Sequence, residues 1–488
     1  MKIIKMTARY VIGFKDGGHH IYENGELVYQ GDRILFAGHG YEGPLDETQD
    51  MGNALIGPGF IDLDALSDLD STVLAFDNQP GWKKGRLPAS DWQRRETYSS
   101  DELDFNKRYA FTQLLLNGIT TIAPITSILY REWAETADEF HRAADIAASL
   151  GVRAYLGPAY MSGYGVVNPD GSLDMRFDEQ RGLKGLEEAV RFAEQLDQYG
   201  DTISGMLAPD RIEGCTPELL RQTADAMRTL DCPARLHSCQ GQFELDMVHE
   251  LHNGLSSVQL MAEYGLLDRR LLLPHLQYLG GKHSTPEKVQ RDLALLGQAG
   301  VNAVICPIVA GRHSKFFHGV RQFQQAGINL SLGTDTFPPD MIQNMHMGTI
   351  LSRVESNDIT AASAADYYNM ATLGGARALG RDDLGRLCAG AKADIMVFDF
   401  DSIYTGQNFD PITTMVLNGN GRDIKGVIIN GEKVVWDRQL VKVNIDLQAM
   451  HHQAQQQFER FMTSYPERCY QHPPLQEIFP PSFPLSRP

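Results

Sequence analysis

The sequence has no long apolar segment and no excess of basic residues. None of its apolar runs approaches the roughly 20 residues that a membrane-spanning helix needs, and its first residues show no signal-peptide cleavage site. The 44 basic residues are outnumbered by 62 acidic ones, which gives a net charge of −18. Such a charge disfavours nucleic acids and anionic membranes as partners. We therefore expect a cytoplasmic protein that binds neither nucleic acid nor membrane.

Several common catalytic motifs are also absent. The 6 cysteines are scattered without the C-x-x-C spacing of redox and zinc motifs, so we expect reduced thiols. No glycine cluster has the order strand, GxxxxGK[ST], helix that marks a phosphate-binding loop. The sequence also shows neither the Ser-His-Asp order nor the reactive-cysteine signature of covalent hydrolases. These absences direct attention to other polar residues.

The sequence does contain a repeated alternation of helical stretches and short apolar strands. Helical stretches end in glycine and run directly into β-rich segments, as in "LLLNGITTI", "AASLGVRAYLG" and "LGQAGVNAVIC". Eight such strands follow one another over about 310 residues, which is the number that closes a (β/α)8 barrel. We therefore predict an α/β fold whose centre is a (β/α)8 TIM-type barrel over residues 57–384.

The two ends of the chain share a different pattern. The first segment alternates short apolar runs with turn signals such as Asn24-Gly25, which is typical of a small antiparallel sheet. After the barrel, "GAKADIMVFDF" and "IKGVIINGEKVVWDRQL" return to the same two-residue period. We predict one small β-sandwich domain built from residues 1–56 and 385–440. Residues 441–488 are predicted to form a polar helix and a Pro-rich tail, which wraps a neighbouring chain or the chain's own surface.

Polar residues stand at the carboxyl ends of four predicted barrel strands. Asp64 ends strand one and His237 ends strand five, while His275 and Asp335 end strands six and eight. Catalytic groups of such barrels lie at this end, so we expect the four to meet in the barrel mouth. Two imidazoles and two carboxylates suit a divalent metal. The alternative for each residue is a structural hydrogen bond, for example a turn capped by Asp335.

A long loop after strand one is a second candidate for ligand binding. It spans residues 76–100 and carries two tryptophans and five cationic residues. Loops of this length in compact domains are often lids, and this composition suits stacking on a flat ring or attraction of an anion. We predict that Trp82 and Arg86 contact the substrate. The alternative is an ordinary solvated surface loop.

These motifs resemble those of the amidohydrolase superfamily, particularly its cytosine deaminase-like and triazine hydrolase-like branch. The resemblance covers about residues 7–440 and is most specific in "MATLGGARALGRDDLGRLCAGAKADIMVFD", where the barrel gives way to the small sheet. It implies a hydrolase that acts on a non-peptide carbon–nitrogen bond of a small, cyclic or heterocyclic molecule. It also implies a homo-oligomer.

The resemblance further implies a set of site residues from which this sequence departs. In the family, two histidines after strand one, a histidine after strand five and an aspartate after strand eight hold one metal ion. A histidine after strand six and a glutamate three residues past the strand-five histidine assist the bound water or the substrate. Here Asp64 and Leu66 stand at the first two ligand positions, and Gln240 stands at the glutamate position. The positions that match are His237, His275 and Asp335.

The altered positions leave several interpretations open. Asp64, His237, His275 and Asp335 could together hold zinc or iron. Alternatively the site needs no cofactor, with Asp335 as general base and His275 as acid or oxyanion stabiliser. In both cases Asp335, His275 and His237 are the predicted catalytic residues, and Asp64 and Gln240 are predicted to contact the substrate. The metal-free alternative includes a non-hydrolytic elimination, isomerisation or cyclisation, and a third alternative is a non-catalytic assembly subunit.

Overall fold

A computed structural model describes residues 1–69, 87–125, 131–315 and 319–486. At its centre lie eight short, buried, parallel strands, which confirm the predicted (β/α)8 barrel. Strands of parallel sheets are covered on both faces, which explains why these segments are nearly continuous in apolar residues. In chain order the strands are Phe60–Ala65, Ile119–Pro124, Arg153–Leu156, Ile203–Gly205, Ala234–Arg235, Leu271–Pro274, Asn302–Ile305 and Asn329–Leu332.

The strands pair in sequence order around the barrel. The first four form one parallel sheet and the last four form another. A bridge between Leu207 and Ala234 joins the fourth strand region to the fifth strand. The ring closes where the N–H group of Asp335 donates to the carbonyl oxygen of Asp64 at 2.7 Å. Closure of the ring brings the carboxyl ends of all eight strands to one mouth.

Helices follow the barrel strands and cover their outer faces. A capping box begins helix Ser100–Leu116, because Ser99 and Glu102 each accept a hydrogen bond from the backbone N–H of the other. No helix among the described residues is both long and apolar enough to cross a membrane. The helices between strand one and the small sheet are Ser100–Leu116, Ala137–Leu150, Glu179–Ala193, Pro217–Leu230, Gln242–Leu251, Ser257–Glu263, Pro286–Ala299, Pro307–Arg312, Val320–Gln325, Met341–Ser356, Ala364–Asn369 and Gly375–Ala378.

Both chain ends contribute strands to one nine-stranded sheet beside the barrel. Strand Ala54–Pro58 pairs antiparallel with strand Ile395–Asp399 and so joins the two halves. This confirms a small β domain built from both ends, whereas the predicted domain limits stay a prediction. The other strands of this sheet are Ile3–Lys15, Gly18–Gln30, Arg33–Gly38, Glu47–Asp50, Ile424–Ile429, Glu432–Trp436 and Gln439–Leu440.

The predicted turn at Asn24 is wrong. Strand Gly18–Gln30 runs through this position, and Asn24 takes a φ of 53° inside the strand. The chain reverses earlier, at Asp16, whose φ is 52°. Strand Ile3–Lys15 pairs with Gly18–Gln30 along its whole length. Its ladder of hydrogen bonds outweighs the local turn preference of the Asn-Gly pair.

The C-terminal residues pack on the chain's own surface. Helix Leu447–Ser464 lies against helix Ser100–Leu116, where the Gln457 side chain donates to Asn106 at 2.6 Å. Farther along, the carbonyl of Arg468 accepts from the N–H of Ala89 at 2.7 Å. The tail therefore holds the last part of the long loop after strand one, from residue 87 onward. The remaining helices near this end of the chain are Pro411–Asn418 and Leu475–Ile478.

A buried ion pair fastens the amino end of the barrel to the small sheet. Arg153 begins the third barrel strand, is fully buried, and donates from Nε to the Asp394 carboxylate at 2.9 Å. Asp394 directly precedes strand Ile395–Asp399 and also accepts from the Asn430 backbone N–H at 2.8 Å. The barrel and the sheet therefore share one buried charge pair.

Replacing Asp394 by asparagine should lower the free energy of unfolding by about 3–5 kcal/mol, because Arg153 would keep a buried charge without its carboxylate. Urea denaturation followed by circular dichroism measures this loss. The matched control is Asp399→Asn, whose partner Arg438 is half-exposed and 3.5 Å away. Exposed pairs contribute less than about 1 kcal/mol. Equal losses in the two variants would contradict the role given to the buried pair.

Candidate active site

The structure brings Asp64, His237, His275 and Asp335 together at the barrel mouth. Each offers one ligand atom, and these atoms all lie within 4.8 Å of one another. Asp64 Oδ1 is 3.5 Å from His237 Nε2, and Asp335 Oδ2 is 3.8 Å from His275 Nε2. The two imidazole rings are stacked, with centroids 5.5 Å apart. All four residues are buried, so the group can converge on one small ion or one reacting atom.

Barrel closure places Asp64 beside Asp335. A Cβ atom at Gly333 would come 2.5 Å from the Cβ of Asp64, so only glycine allows strand eight this close to strand one. Asp62 supports the same junction, because its carboxylate accepts from the backbone N–H of Thr334 at 3.0 Å and from its hydroxyl at 2.6 Å. Burial raises the pKa of Asp62 to about 7. Asp62 therefore acts as a structural hydrogen-bond acceptor below the mouth.

A backbone carbonyl orients His237. Its Nδ1 lies 2.9 Å from the carbonyl oxygen of Asp210, which can only accept, so Nδ1 carries the proton. In the neutral ring Nε2 then presents its lone pair towards Asp64. Burial lowers the pKa of His237, but the Asp64 carboxylate outweighs burial and raises that pKa overall. Burial likewise raises the pKa of Asp64, and the charge of His237, 3.5 Å away, overcomes it, which leaves that pKa at about 2.

The backbones of His275 and Asp335 adopt an uncommon conformation. Their φ angles are 76° and 55°, in the left-handed region that non-glycine residues rarely enter. His275 is held there by its N–H, which donates to the Val304 carbonyl at 2.9 Å. Such conformations cost of order 1–3 kcal/mol and cluster at functional sites. Both residues owe their side-chain directions to this backbone.

Gln240 and Glu244 take separate places beside His237. The Gln240 side-chain oxygen accepts from the Arg211 guanidinium, and an amide cannot transfer protons near neutral pH. The Glu244 carboxylate accepts from the backbone N–H groups of Cys239 at 2.6 Å and of Gln240 at 2.8 Å. Glu244 therefore holds the loop after strand five in shape.

Two kinds of predicted residue do not join the cluster. Leu66 is buried in the main hydrophobic core, and its backbone N–H donates to the Thr334 hydroxyl at 3.3 Å. Its aliphatic side chain offers no ligand atom at the second ligand position. Trp82 and Arg86, the predicted substrate contacts of the long loop, lie outside the described residues.

Arg235, which none of the predicted motifs includes, lies directly beside Asp64. The side chain of Arg235 is 1% exposed, and its Nε is 3.6 Å from Asp64 Oδ1. Its Nη1 donates to the carbonyl oxygens of Ala123 and Pro124 at the end of strand two. A signal existed, because residues two apart on a strand share a face, which places Arg235 on the same side as His237. A charge inside a buried strand is itself unusual.

Glu213 is a second buried polar residue that the predicted motifs do not include. It lies in a short turn after strand four, and this turn packs against strand five. The backbone N–H of Ile212 in this turn donates to the carbonyl of His237 at 3.1 Å. Glu213 is 8% exposed, and no described residue forms a hydrogen bond with its Oε2. Burial, with the charge of Glu244, raises the pKa of Glu213 to about 7. The sequence "DRIEGC" gives no signal of this burial, because it reads as a polar loop.

Replacing Glu213 by glutamine should stabilise the protein at pH 8 and leave it nearly unchanged at pH 4. A carboxyl group with a raised pKa is protonated when folded, so the protein loses stability as pH rises from about 4.5 through 7. The neutral amide avoids this loss, and we expect a thermal midpoint roughly 2–4 °C higher at pH 8. Differential scanning fluorimetry across this range measures the effect. The exposed Glu218→Gln control should show no such gain, and a gain for Glu213→Gln that is equal at both pH values would disprove the assignment.

The chain is similar to several characterised enzymes. It is 25% identical over 425 residues to 5-methylthioadenosine/S-adenosylhomocysteine deaminase of Natronomonas pharaonis, covering 86% of this chain and 88% of the relative. The same enzyme of Pyrococcus abyssi is 24% identical, with 86% and 91% covered. Similar solved structures include a zinc-bound adenosine deaminase from Xanthomonas campestris, with a TM-score of 0.76, 19% identity, and 94% of this chain and 98% of that chain covered. A zinc complex of atrazine chlorohydrolase from Arthrobacter aurescens has a TM-score of 0.70, 19% identity, and 93% and 99% covered.

A family model shows the kinship directly. The model described as "Amidohydrolase family" matches residues 70–434, which is most of the chain. The match includes the strands that carry His237, His275 and Asp335, together with the start of the small sheet's second half. It confirms the expected enzyme family, and the two related structures, both solved with zinc, confirm the fold. The chain belongs to the amidohydrolase family.

Proposed function

We propose that this protein is a metal-dependent hydrolase that breaks a carbon–nitrogen bond on the ring of a small heterocycle, as a deaminase does. The observation that carries the proposal is the convergence of two imidazoles and two carboxylates from four barrel strands. The names of the relatives support the substrate class, because they specify adenosine, 5-methylthioadenosine, S-adenosylhomocysteine and atrazine. All four molecules contain a nitrogen heterocycle.

The residues of the cluster fit a divalent metal. Asp64 Oδ1 is buried without a hydrogen-bond partner in the part of the chain that the structure describes, and His237 directs the lone pair of Nε2 towards it. We propose that Asp64, His237, His275 and Asp335 hold zinc or iron, with Asp64 in the place of a family histidine. When bound, such an ion polarises the substrate and makes water more acidic.

Proton transfer is assigned to residues other than Gln240. Asp335 is the proposed base, because its carboxylate is slightly exposed at the mouth and lies beside His275. His275 is the proposed stabiliser of negative charge that develops on the substrate. Asp64 and Gln240 would contact the substrate as it enters, with Trp82 and Arg86 as further proposed contacts.

A metal-independent reaction is the second candidate. The observation that favours it is Arg235, which places a positive charge from the protein itself 3.6 Å from Asp64 in the buried site. Under this alternative Asp335 and His275 perform general acid–base chemistry alone, in an elimination, isomerisation or cyclisation. The cytoplasmic location and the homo-oligomer stay predictions, and an assembly subunit has no observation in its favour.

The purified protein should contain about one zinc or iron per chain and release ammonia from an amino-substituted purine, pyrimidine or triazine. Elemental analysis measures the metal, and a coupled glutamate dehydrogenase assay measures ammonia, with 5-methylthioadenosine, S-adenosylhomocysteine and cytosine as first substrates. Dialysis against a chelator should abolish turnover, and added zinc or iron should restore it. Turnover that survives complete metal removal would support the second candidate instead.

Asp335→Asn and His275→Ala should each reduce kcat/KM by roughly 10²–10⁴-fold, since a positioned acid–base group contributes about that factor. Both side chains are buried, so circular dichroism must first show that the variants fold. Matched controls are Asp382→Asn and His452→Ala, because both residues are exposed. Variants at Asp335 and His275 that retain full activity would exclude this site as the reaction centre.

A further inference from the structure

The side chain of Arg235 extends from strand five to the end of strand two and passes beside Asp64. Its Nη1 is anchored by the carbonyl oxygens of Ala123 and Pro124. Its Nε stands 3.6 Å from Asp64 Oδ1, and among the described residues neither of these two buried atoms has a hydrogen-bond partner. The guanidinium is therefore held by strand two through Nη1, and its Nε side faces Asp64.

The charges of the site explain why an arginine is needed there. A histidine that coordinates a metal ion is neutral, so in the metal-bound site Asp64 and Asp335 give the buried cluster two negative charges. The ligand set implied by the family resemblance has one carboxylate and therefore one negative charge. Arg235 is always protonated, so it returns the total to one negative charge. A buried carboxylate without a counter-charge is strongly unfavourable.

We propose that Arg235 is a positioning residue that acts through Asp64, as a built-in counter-cation that allows a carboxylate to replace a histidine in this metal site. Its effect on metal binding rests on the proposed function, whereas its coupling to Asp64 does not. Cys306 completes the surroundings of the same carboxylate, because its Sγ donates to Asp64 Oδ2 at 3.5 Å. Each oxygen of Asp64 thus has its own neighbour.

The first experiment measures coupling in metal-free protein. Thermal midpoints are compared for wild type, Arg235→Met, Asp64→Asn and the double variant, after dialysis against a chelator. We expect Arg235→Met to lower the midpoint strongly and Asp64→Asn in the same chain to recover at least half of that loss. The reason is that the neutral amide no longer needs a counter-charge. Additive losses in the double variant would overturn the proposal.

The matched control is Arg153→Met. Arg153 is equally buried but lies at the opposite end of the barrel and pairs with Asp394. Its loss should not be recovered by Asp64→Asn, and recovery there would show that the effect at Arg235 is unspecific. If Arg235→Met gives no folded protein, a folded double variant with Asp64→Asn supports the proposal. An unfolded double variant contradicts it.

The second experiment measures zinc affinity by competition with a chromophoric chelator. A purely structural arginine would leave the affinity unchanged or lower it. A counter-cation opposes a divalent ion, so Arg235→Met should bind zinc at least about tenfold more tightly than wild type, and Arg235→Lys should stay close to wild type. Unchanged or weaker binding by Arg235→Met would overturn the inference. Absence of zinc binding in wild type and both variants would overturn the proposed metal site, while coupling in metal-free protein would still support the Asp64–Arg235 pair.

Discussion

The hydrogen bond that closes the barrel determines the arrangement of the candidate site. The N–H of Asp335 donates to the carbonyl of Asp64, and Gly333 allows the two strands to approach that closely. One contact therefore completes the barrel and sets two carboxylates side by side. His237 and His275 reach the same point because parallel strands end at one face of the barrel. The fold thus brings together residues that are up to about 270 positions apart in the sequence.

Two neighbouring carboxylates in a buried place require positive charge nearby, and the structure supplies it from several directions. Arg235 approaches Asp64 from below, and the imidazole of His237 approaches it from the side. Arg211 lies beyond His237, and carboxylates that include Asp335 outweigh its burial and raise its pKa. The two carboxylates would attract a divalent ion, and the neighbouring positive charges would limit how tightly it binds. Metal affinity in such a site depends on the balance between these cations and the two carboxylates.

The sequence was sufficient for the barrel and for the four cluster residues, because both depend on simple periodicity. Parallel strands are apolar throughout, so Asp64 and His275 stood out as polar residues at strand ends. Arg235 is also a polar residue in an apolar strand, but it lies within the strand, and the prediction considered only residues at strand ends. Glu213 could not be found, because its burial depends on how a polar turn packs against strand five. The turn predicted at Asn24 does not form, because long-range strand pairing outweighs a strong local turn signal.

The contacts of Asp64, Leu66 and Gln240 support the proposal that these residues belong to a rebuilt site. Random loss of function would leave substituted residues without partners, because nothing would select for new contacts. Here Leu66 joins the hydrophobic core, and Gln240 accepts a hydrogen bond from Arg211. Asp64, which is the most costly of the three residues to bury, lies beside the buried charge of Arg235 on another strand. A buried carboxylate and a buried guanidinium are each unfavourable alone, and their pairing offsets part of both costs, as the proposed role of Arg235 requires.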